Sequence, residues 1–172
     1  MESREPACPA APDEGAAVFP RLEDLLARSG VPFTVHAHPP ARTMEDAARD
    51  LWFDVERIVK TVAFAVRGGG LVLAALRGTR RVEYPGLAAL VGVNRRDLAA
   101  LSPEQVRDRL GVAPGCVSPL ARPADAVTLV DADVLSIEPT VYCGSGRADR
   151  TLELAAADLL RLSGGRAGRF SR

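Results

Sequence analysis

The fold is decided by Ile58-Val59-Lys60-Thr61-Val62-Ala63-Phe64-Ala65-Val66, then Gly68-Gly69-Gly70, then Leu71-Val72-Leu73-Ala74-Ala75-Leu76. Two almost unbroken apolar runs of strand length, joined by glycines, read as a hairpin buried on both faces. Side chains alternate along a strand, so Ile58, Lys60, Val62, Phe64 and Val66 share one face, and Val59, Thr61, Ala63 and Ala65 the other. A lysine among bulky apolar neighbours must reach water or meet an anion or a carbonyl. Composition sharpens the point: of 22 basic residues, Lys60 is the only lysine. Where arginine serves every solvated positive charge, a single ammonium is a candidate for chemistry that a planar guanidinium cannot supply. A lysine that snorkels from a strand end is the plain alternative.

Helices and further strands surround the hairpin. Leu22, Leu25 and Leu26 are spaced as a helix face, with Gly30 as its stop. Phe33 to His36 reads as a short strand. Thr43-Met44-Glu45-Asp46 resembles a capping box opening a helix through Leu51. Leu87 to Val91 is a short helix closed by Gly92, and Ser102-Pro103-Glu104-Gln105 starts another that ends at Gly111. Val127 to Val130, Pro139 to Cys143 and Thr151 to Leu154 read as strands, and Ala156 to Leu162 as a last helix. Helices interspersed with hairpins predict an α/β fold of the α+β type on a mixed sheet.

Composition bounds the function. The 172 residues are 47% hydrophobic and 26% charged, enough for one domain with a real core. Positive and negative side chains balance at 22 each, which argues against a protein that coats nucleic acid through many phosphate contacts. No apolar run reaches the ~18 residues of a membrane span, and the first residues lack the apolar stretch of a signal peptide, so a cytoplasmic protein is expected. Cys8, Cys116 and Cys143 are an odd count without a Cys-x-x-Cys pair. Residues 1–19 are Ala- and Pro-rich and read as a disordered tail, 20–163 as a single domain, and 164–172 as a flexible basic end.

Two loops carry chemistry-bearing signals. Gly111-Val112-Ala113-Pro114-Gly115-Cys116-Val117-Ser118-Pro119 is stiff and sharply turned, and such a loop presents backbone N–H groups in fixed directions. Gly144-Ser145-Gly146-Arg147 reads as a hairpin turn whose glycines also permit close approach of a ligand. His36 and His38 alternate onto one strand face, without a third metal ligand in view. Cys116 as a nucleophile has no partner that the sequence assigns.

Taken in order, these pieces resemble the YbaK/prolyl-tRNA-synthetase-associated editing domains, free-standing aminoacyl-tRNA deacylases. The matching text is Val59-Lys60-Thr61-Val62, Arg80-Arg81-Val82-Glu83, the Ser102-Pro103-Glu104 helix start, Gly115-Cys116-Val117-Ser118-Pro119, Val130-Asp131, Gly144-Ser145-Gly146 and Leu154-Ala155-Ala156-Ala157-Asp158-Leu159. It spans roughly residues 21–163. The resemblance implies a barrel-like mixed sheet and hydrolysis of the ester joining a wrong amino acid to a tRNA 3′ end, with tRNA(Pro) the first choice. It places Lys60 against the substrate as the catalytic residue. It assigns substrate binding to Thr61, to the loop Gly115, Cys116, Val117, Ser118 and Pro119, and to the turn Gly144, Ser145 and Gly146. No cofactor or metal is implied. The expected partners are the acceptor end of a mischarged tRNA and an aminoacyl-tRNA synthetase, with no membrane. The alternative is a non-catalytic module of the same fold that binds a tRNA end or a synthetase.

Overall fold

A computed structural model describes residues 15–172. The hairpin is its centre. β2 (Ile58–Val66) and β3 (Leu71–Arg77) pair antiparallel, in register Lys60 with Leu76 and Phe64 with Val72. The turn between them holds Gly68, Gly69 and Gly70 at φ of 93°, 122° and 87°, a region that side-chain-bearing residues avoid.

Six more strands complete a mixed sheet: β1 (Phe33–Ala37), β4 (Leu98–Ala100), β5 (Ala126–Asp131), β6 (Val141–Gly144), β7 (Arg150–Leu154) and β8 (Arg166–Gly168). The order is β1-β7-β6-β2-β3-β5-β8, with β4 on β2. β2–β6, β3–β5 and β5–β8 are parallel, and the other pairs antiparallel. The pairing is an open path ending in β1 and β8 rather than the closed ring that a barrel requires.

Among the described residues five α-helices flank the sheet: α1 (Val18–Ser29), α2 (Met44–Asp50), α3 (Tyr84–Val91), α4 (Pro103–Leu110) and α5 (Ala156–Ser163). Their ends follow local chemistry. α1 buries Leu22 and Leu26 and stops at left-handed Gly30. Thr43 with Asp46, and Ser102 with Gln105, form reciprocal capping boxes. No helix among the described residues is long and apolar enough to cross a membrane.

Strand alternation divides the core. Val59 and Ala75 join Leu22, Leu26, Val130, Leu152, Leu154 and Leu159 on one face. Phe64, Val72, Ala74 and Leu76 meet Leu87, Leu129 and Phe170 on the other. A third cluster packs Ala63 and Leu73 against Val106, Val112, Cys116 and Val117, which seats the 111–119 loop on the first face.

Both expected tails need correction. α1 begins at Val18, inside the segment read as a tail. Gly15 N–H donates to Gly111 O at 3.0 Å, and Val18 packs against two core clusters. An Ala/Pro average hid the two bulky residues, Val18 and Phe19, that complete the buried side of α1. Residues 1–14 of the expected tail lie outside the described residues. At the other end, the stretch expected to be flexible forms β8 alongside β5 and buries Phe170 to 1% exposure. Phe170 N–H donates to Asp131 Oδ2 at 2.7 Å, and its carbonyl accepts from Glu83 N–H at 2.7 Å. One aromatic anchor and satisfied backbone groups outweigh a solvated composition of Gly and Arg.

Phe170→Ala is therefore expected to behave as a core truncation. It should cost roughly 3–5 kcal/mol, a fall of about 10 °C in the thermal midpoint of a domain this size. Circular-dichroism melting checks this, and an unchanged midpoint would mean that the end does not dock.

Candidate active site

The decisive local feature is a break in strand pairing. On one edge β2 is paired with β3 from Val59 to Ala65. On its other edge β6 pairs only with Ile58 and Val59, and β4 only with Phe64 to Val66. Residues 60–63 thus border an opening. Ala63 O accepts from Leu101 N–H at 2.9 Å across that edge, so strand alternation turns the Thr61 backbone groups toward the same opening.

A mainly apolar cavity of about 370 Å³ occupies the opening. Around this break in pairing, six consecutive β2 residues, Ile58 to Ala63, line the cavity from both faces. The remaining walls come from the 41–44 segment leading into α2, the Pro114–Val117 loop, Tyr142 to Gly144 of β6, and the turn through Arg147, Arg150 and Thr151.

Lys60 meets a carbonyl: Nζ donates to Gly78 O at 3.0 Å. That is its single hydrogen bond among the described residues, leaving two ammonium protons for another acceptor. Burial holds its pKa below the ordinary lysine value, with the nearby charge of Arg81 adding to the effect. Next along the strand, Thr61 Oγ1 is buried without a hydrogen-bond partner. A buried hydroxyl left unpaired costs about 1–3 kcal/mol, a debt that an occupant of the cavity can discharge.

Two close backbone approaches fix the loop. A Cβ on Gly115, which sits at φ +85°, would fall 2.0 Å from Arg42 O, and one on Gly144 would fall 2.4 Å from Val117 O. Only glycine lets these three chain segments touch. Gly146 N–H donates to Cys116 O at 3.0 Å, clamping the hairpin turn onto the loop. Cys116 N–H is used internally, on Ala113 O at 3.0 Å, whereas no acceptor among the described residues takes the Val117 N–H.

The residues singled out by sequence therefore divide. Lys60, Thr61, Gly115, Cys116, Val117 and Gly144 line one cavity. Ser118, Pro119, Ser145 and Gly146 stand behind it. Ser118 Oγ accepts from Leu120 N–H, and Ser145 Oγ donates to Arg150 O at 2.7 Å while accepting from Arg147 N–H at 3.2 Å. These serines shape the loops.

The wall formed by Phe53, Tyr142 and His38 carries no local signal in the sequence. Phe53 stacks on Tyr142 at 4.4 Å, and His38 Nε2 is 2.8 Å from Thr151 Oγ1. No short-range pattern links residues so distant in the chain. His36 and His38 do not act together: His36 Nε2 lies 2.6 Å from Glu153 Oε2. Cys143 is fully buried, and burial pushes its thiol up to about 12, which keeps it protonated and non-nucleophilic.

A sequence profile described as the aminoacyl-tRNA editing domain matches residues 38–162, most of the chain. The chain belongs to this family. Its match to the proline–tRNA ligase of Xanthomonas axonopodis pv. citri is 34% identical over 59% of this chain, yet spans only 17% of that enzyme. The multifunctional Ser/Thr-tRNA deacylase ProXp-y of Escherichia coli is 25% identical over 87% of this chain and 90% of its own length. Among solved structures, a proposed trans-editing enzyme for prolyl-tRNA synthetase superposes with a TM-score of 0.76 at 26% identity, covering 91% of this chain and 98% of that one. A hypothetical protein superposes with a TM-score of 0.80 at 26% identity over 88% of this chain and 99% of that one. An editing-domain fold therefore carries the cavity.

Two outcomes follow from the geometry. Gly30→Ala, with nothing within 4 Å of the new Cβ, meets only the left-handed backbone cost of about 1–2 kcal/mol. Gly115→Ala must also displace the Arg42 backbone, so its midpoint should fall further in parallel melts; equal losses would disprove the close approach. The second concerns acid. Burial pushes the Glu153 carboxyl up, but hydrogen bonds from Thr140, His36 and Arg57 outweigh it and hold the pKa below the ordinary 4.5. Stability from this group is full above that value and lost as pH falls through the lowered one. Glu153→Gln should flatten the decline in midpoint below about pH 4.5.

Proposed function

We propose that this protein is an aminoacyl-tRNA deacylase that hydrolyses the ester of a mischarged tRNA in trans, with tRNA(Pro) carrying a small wrong amino acid as its first substrate. One observation carries the reading. A single cavity brings together the only lysine of the chain, with two ammonium protons unassigned, the unpartnered Thr61 hydroxyl and the glycine-clamped 114–117 loop. The resemblance of the whole body to a deacylase of Ser- and Thr-tRNA and to a proposed trans-editing enzyme supports it.

The chemistry demands little beyond placement. An aminoacyl ester is already activated by its own ammonium and a vicinal hydroxyl. Water adds to the carbonyl, the acyl C–O bond breaks, and the tRNA hydroxyl leaves with a proton as the free amino acid forms. A protein accelerates this by orienting ester and water and by stabilising the developing oxyanion. Lys60 acts as a cation on the terminal phosphate or the carbonyl, and Thr61 and the loop backbone hold the aminoacyl group. The apolar walls admit a small side chain. Such selection matters because one methylene distinguishes substrates by only ~10–200-fold at a first binding site.

Single-turnover deacylation across a panel of mischarged tRNAs tests this. Lys60→Ala should lower the rate on the order of 100–1,000-fold with the fold intact, matching loss of an oxyanion donor. Lys60→Arg should not restore it, because a wide planar head replaces a compact one. Thr61→Val removes the orphan hydroxyl and should keep or raise the midpoint while slowing hydrolysis about 3–10-fold. Wild-type rates equal to spontaneous hydrolysis on every tRNA would refute the activity and leave a binding module.

A further inference from the structure

We propose that the C-terminal strap, residues 164–172, together with the Gly78–Arg81 turn, forms a phosphate-binding face that grips the backbone of the RNA helix whose esterified end enters the cavity. This rests on the deacylase reading above and names the surface by which the rest of the substrate is held.

The strap lies beyond residues 38–162, the stretch that matches the family profile. Here it is nonetheless built in. Arg81 and Arg172 exchange backbone hydrogen bonds, 2.9 Å each way, and Val82 bridges to Ser171. With Phe170 pointing into the core, the flanking Arg169 and Arg172 are left exposed beside Arg80 and Arg81. Arg80, Arg169 and Ser171 line a polar cavity of about 260 Å³, whose remaining wall is Asp131 to Asp133 and Ser136.

The turn and strap set four exposed arginines, Arg80, Arg81, Arg169 and Arg172, against the two aspartates of this wall, Asp131 and Asp133. Asp131 keeps its negative charge while one oxygen accepts from Phe170 N–H and the other from Asp133 N–H. Asp133 is shared, accepting from Arg77 at 2.7 Å and lying 3.2 Å from Arg80. Its carboxyl is held below the usual range by the Arg77 hydrogen bond, with the charges of Arg80 and Arg169 adding to it. Arg81 and Arg172 form no ion pair among the described residues. The whole chain has a formal charge of zero, so this excess is local.

The Gly78–Arg81 turn adjoins the cavity through Lys60. Lys60 Nζ is bonded to Gly78 O, three residues before Arg81, and the Arg81 charge is felt at Lys60. A substrate whose reacting end meets Lys60 therefore runs its next phosphates along this turn and strap. Guanidinium forks suit phosphate geometry, and the periodic charge of a nucleic-acid backbone matches a row of arginines better than an acidic protein patch does.

The test is the double variant Arg169→Ala/Arg172→Ala, which keeps Phe170 and hence the docked strap. Its midpoint should equal the wild type. Hydrolysis is measured on full-length mischarged tRNA and on the same aminoacyl ester carried by a CCA trinucleotide. The proposal expects kcat/KM on the tRNA to fall about tenfold with kcat at saturation unchanged, and the trinucleotide rate to stay the same. Binding of an uncharged acceptor-stem hairpin across a salt series should lose a slope of about 1.8 in log K against log salt, two phosphate contacts' worth. Equal losses on both esters, or an unchanged salt slope, would overturn the proposal, as would retained RNA binding with lost binding of a synthetase. If wild type hydrolyses neither ester yet binds the hairpin with an Arg-dependent slope, the docking face stands and the deacylase reading falls.

Discussion

The structure depends on one strand having three neighbours. β2 is satisfied along one edge by β3, but on the other edge β6 and β4 each take only an end of it. A backbone edge inside a folded domain must find partners or open to solvent or ligand, because unpaired N–H and C=O groups are costly to bury. Here the middle of the strand opens. The same break permits a single cavity to touch Lys60 on one face of the strand and Thr61 on the other, which an intact ladder forbids.

The rest of the molecule keeps that opening from collapsing. Apolar walls drawn together around a gap would close it unless rigid backbone holds them apart. Gly115 against the Arg42 carbonyl and Gly144 against the Val117 carbonyl supply backbone-to-backbone struts with no side chain between. The 41–42 segment is itself tethered, Ala41 N–H donating to Ala148 O at 2.9 Å, and Gly146 N–H ties the turn to Cys116 O. Loop, turn and α2 entry thus form one closed frame of main-chain contacts around the mouth.

Much of this was legible in the chain itself. The hairpin, the two capping boxes and the glycine stops are written in local patterns, because capping and turn chemistry act over three or four residues. Lys60 stood out by composition and alternation. The break in β2 pairing did not, since it depends on where β4 and β6 end, and β4 is the three-residue Leu98–Ala100, too short to show alternation. The strap's Gly- and Arg-rich composition resembles a solvated tail, while its order comes from one phenylalanine and an aspartate 39 residues away. The aromatic wall of Phe53 and Tyr142 was missed because it is created by topology alone.

Geometry also explains why the single ammonium sits where it does. The arginines that line the sheet are held by forks: Arg57 donates to Thr140 O and Glu153 Oε1, Arg77 to Asp133 Oδ2 and Glu56 O, and Arg147 to both oxygens of Asp149. Each position offers two acceptors set apart as a planar guanidinium demands. At residue 60 the strand offers one carbonyl, Gly78 O, beside an apolar cavity. A guanidinium there would leave several donors unsatisfied in a partly buried setting, whereas an ammonium spends one proton on the carbonyl and turns the others toward the cavity. At this partly buried position, where a fork has no second acceptor, the chain keeps lysine.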